Sequence, residues 1–177
     1  MTDTARTLSA LQTLLADNTA EAISPQDLRD MLVSVMGGYG AAYAAADASA
    51  QSSIGTSLTK LTAWADSVTT SKQCTPSAST EDITVTVAGI WLAVTALSFS
   101  GSTNTTFQVR FHVDDVDSGM GFERKIGAGG DVGTAIGLAI LNLSAGTEVV
   151  DLFIKADASS KSVTVHIGST LALIRLA

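Results

Sequence analysis

The second half of the chain alternates apolar and polar residues at a spacing of two. Ile83, Val85 and Val87 are interleaved with Thr84 and Thr86, and Phe107, Val109, Phe111 and Val113 with Gln108, Arg110 and His112. Successive side chains of a strand point to opposite faces, so each run predicts one buried face and one wetted face. On this reading Gln108, Arg110 and His112 face solvent. Residues 90–99 are mostly apolar, interrupted by Thr95 and Ser98, and include Trp91, which predicts a more buried strand. Further strands are predicted at Val116, Phe122–Ile126, Ala135–Leu143, Glu148–Ala156, Ser162–Ile167 and Thr170–Leu176. Turn residues separate them: Ala88-Gly89, the run SGSTNT over 100–105, Gly127–Gly133, 144–147, 157–161, and Asp114-Asp115 as a tight hairpin. About eight to ten short strands with no helix between them predict an antiparallel sandwich or jelly roll, not a βαβ fold.

The first half reads differently. Leu8, Leu11 and Leu15 recur at spacings of three and four, predicting a helix from about Thr4 to Ala16 that Asp17-Asn18-Thr19 ends. A second helix start follows. Ser24 can cap free backbone N–H groups, Pro25 suits the first helical position, and Asp27 opposes the positive helix end. Leu28, Met31, Leu32 and Val35 then share one face, and Gly37-Gly38 ends the helix. A hairpin this small cannot bury its own apolar face, so it predicts an anchor for a partner surface. The candidate anchor residues are Ser24, Pro25, Gln26, Asp27, Leu28, Arg29, Met31, Leu32 and Val35.

The Ala/Ser-rich residues 39–56, with Tyr39 and Tyr43 four apart, predict a linker or stem. Two readings stay open for 54–68. Ile54, Leu58, Leu61, Ala65 and Val68 have coiled-coil spacing, while Thr56, Thr59, Thr62 and their neighbours favour a strand. The predicted organisation is a helical anchor over 1–38, a linker or stem over 39–56 and a jelly-roll head over 57–177.

At 177 residues the chain has room for one domain with a core and a small appendage. Charged residues make up only 15%, and charge depletion of this kind accompanies an oligomer interface. The net charge of −7 is spread evenly, with 4 basic and 7 acidic residues before Glu81 and 6 and 10 from there on. With no basic cluster, nucleic-acid binding is disfavoured. The first ten residues carry Asp3 and no apolar core, so no secretory signal is read there. Residues 87–99 are too short and too interrupted to span a bilayer, so no membrane insertion is expected. The single cysteine, Cys74, excludes an internal disulfide and suits a reducing compartment.

Candidate chemistry is sparse, and no catalytic residue, metal ligand or cofactor is predicted. His112 and His166 both fall in alternating strands on the expected solvent face. The glycines of residues 126–133, IGAGGDVG, have the wrong spacing for a dinucleotide site, and no helix follows them. The carboxylates of 114–119, DDVDSG, are read as a solvated hairpin tip before a calcium site, since no distal acid completes the set. Trp91 stands among Ile90, Leu92 and Val94 and is read as core; Trp64 is open to either core or sugar stacking. Residues of a glycan site are not identifiable.

Two resemblances add to this reading. Residues 16–35, ADNTAEAISPQDLRDMLVSV, resemble the N-terminal segment of many tailed-phage virion proteins, head fibres and tail-fibre-like adhesins among them. Residues 82–114 and 142–157, with the L-x-L-x-A-G-x-x-V stretch over 141–149, resemble the complement/tumour-necrosis-factor-like jelly roll of phage fibre tips. The resemblances imply a non-enzymatic, homotrimeric head fibre or decoration protein on the virion exterior, assembled in the host cytoplasm. Its N-terminal helices would hold a capsid or tail protein, and its β head would face outward. The alternative they imply is a receptor-binding tail-fibre tip that recognises a host surface polysaccharide.

Overall fold

The computed structural model describes residues 29–31, 37–129 and 131–176. Thirteen strands lie among them: β1 (Tyr39–Tyr43), β2 (Gln51–Ile54), β3 (Thr59–Lys60), β4 (Ser67–Val68), β5 (Cys74–Ser77), β6 (Asp82–Val85), β7 (Gly89–Gly101), β8 (Thr105–Val113), β9 (Val116–Ile126), β10 (Gly133–Leu143), β11 (Val149–Ala156), β12 (Lys161–Val165) and β13 (Thr170–Arg175). They form two antiparallel sheets. The first runs β2-β12-β7-β13-β1-β4, with β10 on the other edge of β7; the second runs β5-β6-β11-β8-β9, with β3 beside β11. The result is the predicted antiparallel jelly-roll sandwich.

The long strand β7 organises the first sheet. Its odd-numbered residues Trp91, Ala93, Leu97 and Phe99 point inward and are at most 1% exposed. From the second sheet Phe107, Val109, Phe111, Leu152 and Ile154 meet them across the core. Phe99 and Phe107 join the layers edge to face, with centroids 6.1 Å apart and planes at 89°. The indole N–H of Trp91 is satisfied by the Val87 carbonyl, whereas that of Trp64, equally buried, has no hydrogen-bond partner.

Three expectations are corrected. Residues 39–56 are no simple linker, because they contribute β1 and β2, and β1 pairs with β13 along its whole length. Its inward positions are Gly40 and Ala42, and at the first of them a side chain would collide: a Cβ at Gly40 would sit 2.7 Å from Cys74 Sγ. Small residues are thus what a strand packed this closely requires. Residues 54–68 form neither a coiled coil nor one long strand. The chain makes only the short β3 and β4, while Leu61, Trp64 and Ala65 enter the core between them. His112, expected in solvent, is 5% exposed. It keeps the predicted phase, opposite Asp151 on the outer face of the second sheet, but the Phe153 ring and the Asp115 carbonyl cover it there. The register shift between Arg110 and His112 places its extra residues in β9.

The turns follow their residues. Asp114 and Asp115 have φ of 49° and 64°, the pair of left-handed conformations that a two-residue hairpin of this hand demands. At 144–147 Glu148 caps the turn, its carboxylate accepting the N–H groups of Ala145 at 2.7 Å and Thr147 at 3.2 Å. Burial pushes this carboxyl up, but the amide donors outweigh burial and hold it below the usual glutamate range. Across the bulge, Gly121 lies so close to β8 that an added Cβ would stand 1.9 Å from the Val109 carbonyl.

Two outcomes are expected. Gly121→Ala lowers unfolding free energy by about 1–3 kcal/mol in denaturant titration, whereas Gly129→Ala, with open space around it, leaves the midpoint in place. A carboxyl held low in the folded state stabilises above its unfolded pKa of about 4.3 and loses that contribution as pH falls through the folded value. Glu148→Gln therefore lowers the neutral-pH stability and weakens its fall between about pH 6 and pH 3, as read by urea midpoints across pH.

Candidate self-association surface

The even-numbered residues of β7 point away from the core, and from Ile90 to Ala96 they are apolar too. Register aligns them with the outward residues of three neighbouring strands. One row reads Tyr39, Ile174, Leu92, Ile140; the next Ala41, Ala172, Val94, Leu138; the third Tyr43, Thr170, Ala96, Ile136. These three rows across β1, β13, β7 and β10 contain no charged residue. Ile136, Leu138 and Ile140 are 60–65% exposed, and Tyr39 and Ile174 close to half exposed. Strand spacing and residue rise put this patch on the order of 400 Å², the size of the largest, often functional, apolar patch of a monomer. The polar residues Ser98 and Thr134 border it at one end. Sequence alone carried the signal, in residues 90–94 that are apolar without alternation, but it was read as burial within one chain.

The other sheet holds a different feature. Lys60 Nζ lies 2.8 Å from Asp151 and 3.3 Å from Asp82. Burial disfavours the ammonium, and the two carboxylates outweigh it, raising the Lys60 pKa. Burial lifts the Asp151 carboxyl despite Lys60. A polar cavity of about 260 Å³ opens here, lined by Lys60, Asp114, Asp115, Val149 and Asp151. His112 stands opposite Asp151 in the β8–β11 register, donates from Nδ1 to the Asp115 carbonyl at 3.0 Å and stacks on Phe153 with centroids 3.7 Å apart. This cluster joins residues that no spacing in the sequence connects.

The remaining sequence candidates are placed as follows. Of the anchor residues, Arg29 and Met31 lie in the helical stretch 29–31; Ser24, Pro25, Gln26, Asp27, Leu28, Leu32 and Val35 lie outside the described residues. Trp91 and Trp64 are both buried, so neither ring is open for stacking on a sugar. Cys74 begins the edge strand β5, and burial pushes its thiol up to about 11. Asp131 pins the loop before β10, accepting the Gly127 N–H at 2.7 Å and pairing with Arg124 at 3.1 Å. In the 114–119 turn, Asp114 accepts the Val149 N–H and Asp117 the Gly119 N–H. His166 is half-buried, with Ser100 on one ring nitrogen and Asp47 on the other. Among the described residues, no three His, Cys, Asp or Glu side chains are grouped to hold a metal ion.

Among solved structures, the chain is similar to murine APRIL at pH 5.0, with a TM-score of 0.51 and 14% identity over 79% of this chain and 99% of that one. It is also similar to Eiger TNF from S. frugiperda, with a TM-score of 0.49 and 13% identity over 80% and 92%. No family model and no curated protein sequence matches the chain. The fold is therefore a tumour-necrosis-factor-like jelly roll.

A thiol this buried and this weakly acidic reacts only when the sheet opens. Cys74 is expected to resist Ellman's reagent at pH 8 in the folded protein and to titrate fully in guanidinium; prompt reaction in the folded state would contradict its placement.

Proposed function

We propose that this chain is the outward β head of a homotrimeric virion protein, a head fibre or capsid decoration protein, held by its N-terminal helical segment. The observation that carries the reading is the uncharged apolar face on β1, β13, β7 and β10. Exposed aliphatic side chains gain about 1.5–3 kcal/mol each when fully buried, and a sheet face has no partner within its own chain once the core side is filled. A second and third copy of the same chain supply that partner. Closed cyclic symmetry then brings three N-terminal segments to one end. Three modest contacts held by one head act together through local concentration, so a short helix suffices as an anchor.

The alternative, a receptor-binding tip for a host surface polysaccharide, is favoured by one observation, the polar cavity at Lys60, Asp114, Asp115 and Asp151. Both tryptophans lie in the core and offer it no support.

Leu138→Asp puts a charge in the middle of the middle row. Sedimentation velocity is expected to show the trimer replaced by a folded monomer, while Val116→Asp, on an exposed residue of the β8–β9 hairpin, leaves the trimer intact. An unchanged trimer in Leu138→Asp would overturn the assignment of this face. For the virion reading, a chain lacking residues 1–36 should stay trimeric and folded yet fail to co-sediment with phage particles that the full chain decorates; retained decoration sinks the anchor.

A further inference from the structure

Beyond the last apolar row, the end of β7 carries three side chains in series. Ser100 Oγ lies 2.8 Å from His166 Nε2, and His166 Nδ1 lies 3.2 Å from Asp47 Oδ2. They come from distant parts of the chain. Two neighbouring strand pathways bulge at the same level, at 44–50 between β1 and β2 and at 166–169 between β12 and β13. Backbone bonds lock the bulges together: Ala44 N–H to the Ser169 carbonyl, Gly168 N–H to the Ala44 carbonyl and Ala48 N–H to the Val165 carbonyl, all at 2.8–2.9 Å.

Each member of the series is held by the main chain as well. The His166 N–H donates to the Ser98 carbonyl at 2.7 Å, and the buried Ser169 hydroxyl donates to the His166 carbonyl at 2.8 Å. Asp47 Oδ1 accepts the Ile167 N–H at 2.8 Å, which leaves Oδ2 for the imidazole. That amide bond, followed by the His166 contact, holds the Asp47 carboxyl below the usual range. A carboxylate on Nδ1 places the ring proton there and turns the Nε2 lone pair toward the Ser100 hydroxyl. A hydroxyl within reach of a base that a third group orients is the arrangement of an activated nucleophile.

We propose that Ser100 is a nucleophile, with His166 as its base and Asp47 as the residue that positions that base, and that it takes the acyl group of small carboxylic esters. Ser100 Oγ forms a bond to the ester carbonyl carbon as its proton passes to His166 Nε2. The tetrahedral adduct collapses, the bond to the alkoxy oxygen breaks, and that oxygen leaves with the proton from Nε2. Water then repeats the sequence in reverse, releasing the carboxylic acid and restoring Ser100. The hydroxyls of Thr164, opposite Ser100 in the β7–β12 register, and of Ser98, two residues back on the same face, are the donors available to the adduct's oxygen. Ser100 stands on a sheet face and not in a deep pocket, which favours short acyl groups. This activity is independent of the structural role proposed above, so its failure leaves the self-association untouched.

The test is phosphonylation of the full chain by a fluorophosphonate probe, in which the Ser100 oxygen displaces fluoride from phosphorus. Intact mass and peptide mapping are expected to show one phosphonyl group, on Ser100. Ser100→Ala abolishes the label, while Ser102→Ala, one position outside the series, retains it. His166→Ala slows labelling about 100-fold. Asp47→Asn slows it about tenfold or more, with the thermal midpoint confirming the fold. A chain that stays unlabelled, a label on another residue, or a rate indifferent to His166→Ala would each overturn the proposal. Mapping on the unmodified protein decides the matter even where a variant fails to fold.

Discussion

A strand that is apolar on both faces sets the terms for everything else in this molecule. Along β7, Trp91, Leu97 and Phe99 point into the sandwich, while Leu92, Val94 and Ala96 point out of it. The inward set is satisfied within the chain by Phe107, Phe111 and Leu152 from the facing sheet. Nothing among the described residues layers over the outward set. Both edges of β7 are already used, one by β10 and the other by β12 and β13 end to end, so the strand cannot twist away or be withdrawn. The outer face is a fixed consequence of the pairing that builds the core. Covering it requires another copy of the molecule or a surface of equal apolarity.

The polar groups are arranged around that constraint. Buried Thr95 donates to the Thr170 carbonyl at 2.9 Å, and Ser169 receives the Ser98 N–H at 2.9 Å, so hydroxyls close the ladder where the strands break register. The charges sit elsewhere: Lys60 with Asp82 and Asp151 on the second sheet, Arg124 with Asp131 at the loop before β10. Arg124 also covers the Phe99 ring, 4.9 Å from its centroid. Ionic groups are thus placed at the ends of the sandwich and on the second sheet, and the four-strand face of the first sheet is left uncharged. Such partitioning is what a specific apolar interface needs, since a single unpaired charge in its centre costs far more than a methyl group gains.

Most of the jelly roll from Asp82 onward was legible in the sequence, because a half-buried strand writes its two faces as alternation and its ends as turn residues. The failures have physical causes. Gly40 is small because Cys74 crowds the inner face of β1, and small residues such as Gly40 and Ala42 carry almost no hydrophobic signal, so a strand inside the sheet looked like a linker. The phase of His112 was legible but its burial was not, because the Phe153 ring that covers it comes from β11, about 40 residues further along the chain. The outer face of β7 was visible as apolarity without alternation, yet a pattern of apolar residues states only that a face is covered, not by which chain. The Asp47, His166 and Ser100 series left no trace at all, since its members are 53 and 66 residues apart in sequence order and meet only through paired bulges.

The central claim is that copies of this chain cover one another's outer face. Light scattering coupled to size exclusion, on the full unmodified chain over a hundredfold dilution, tests it most directly. The account predicts a mass three times the 18.1 kDa of one chain, stable across the dilution. A mass of one chain throughout, with the protein soluble and folded, would contradict it.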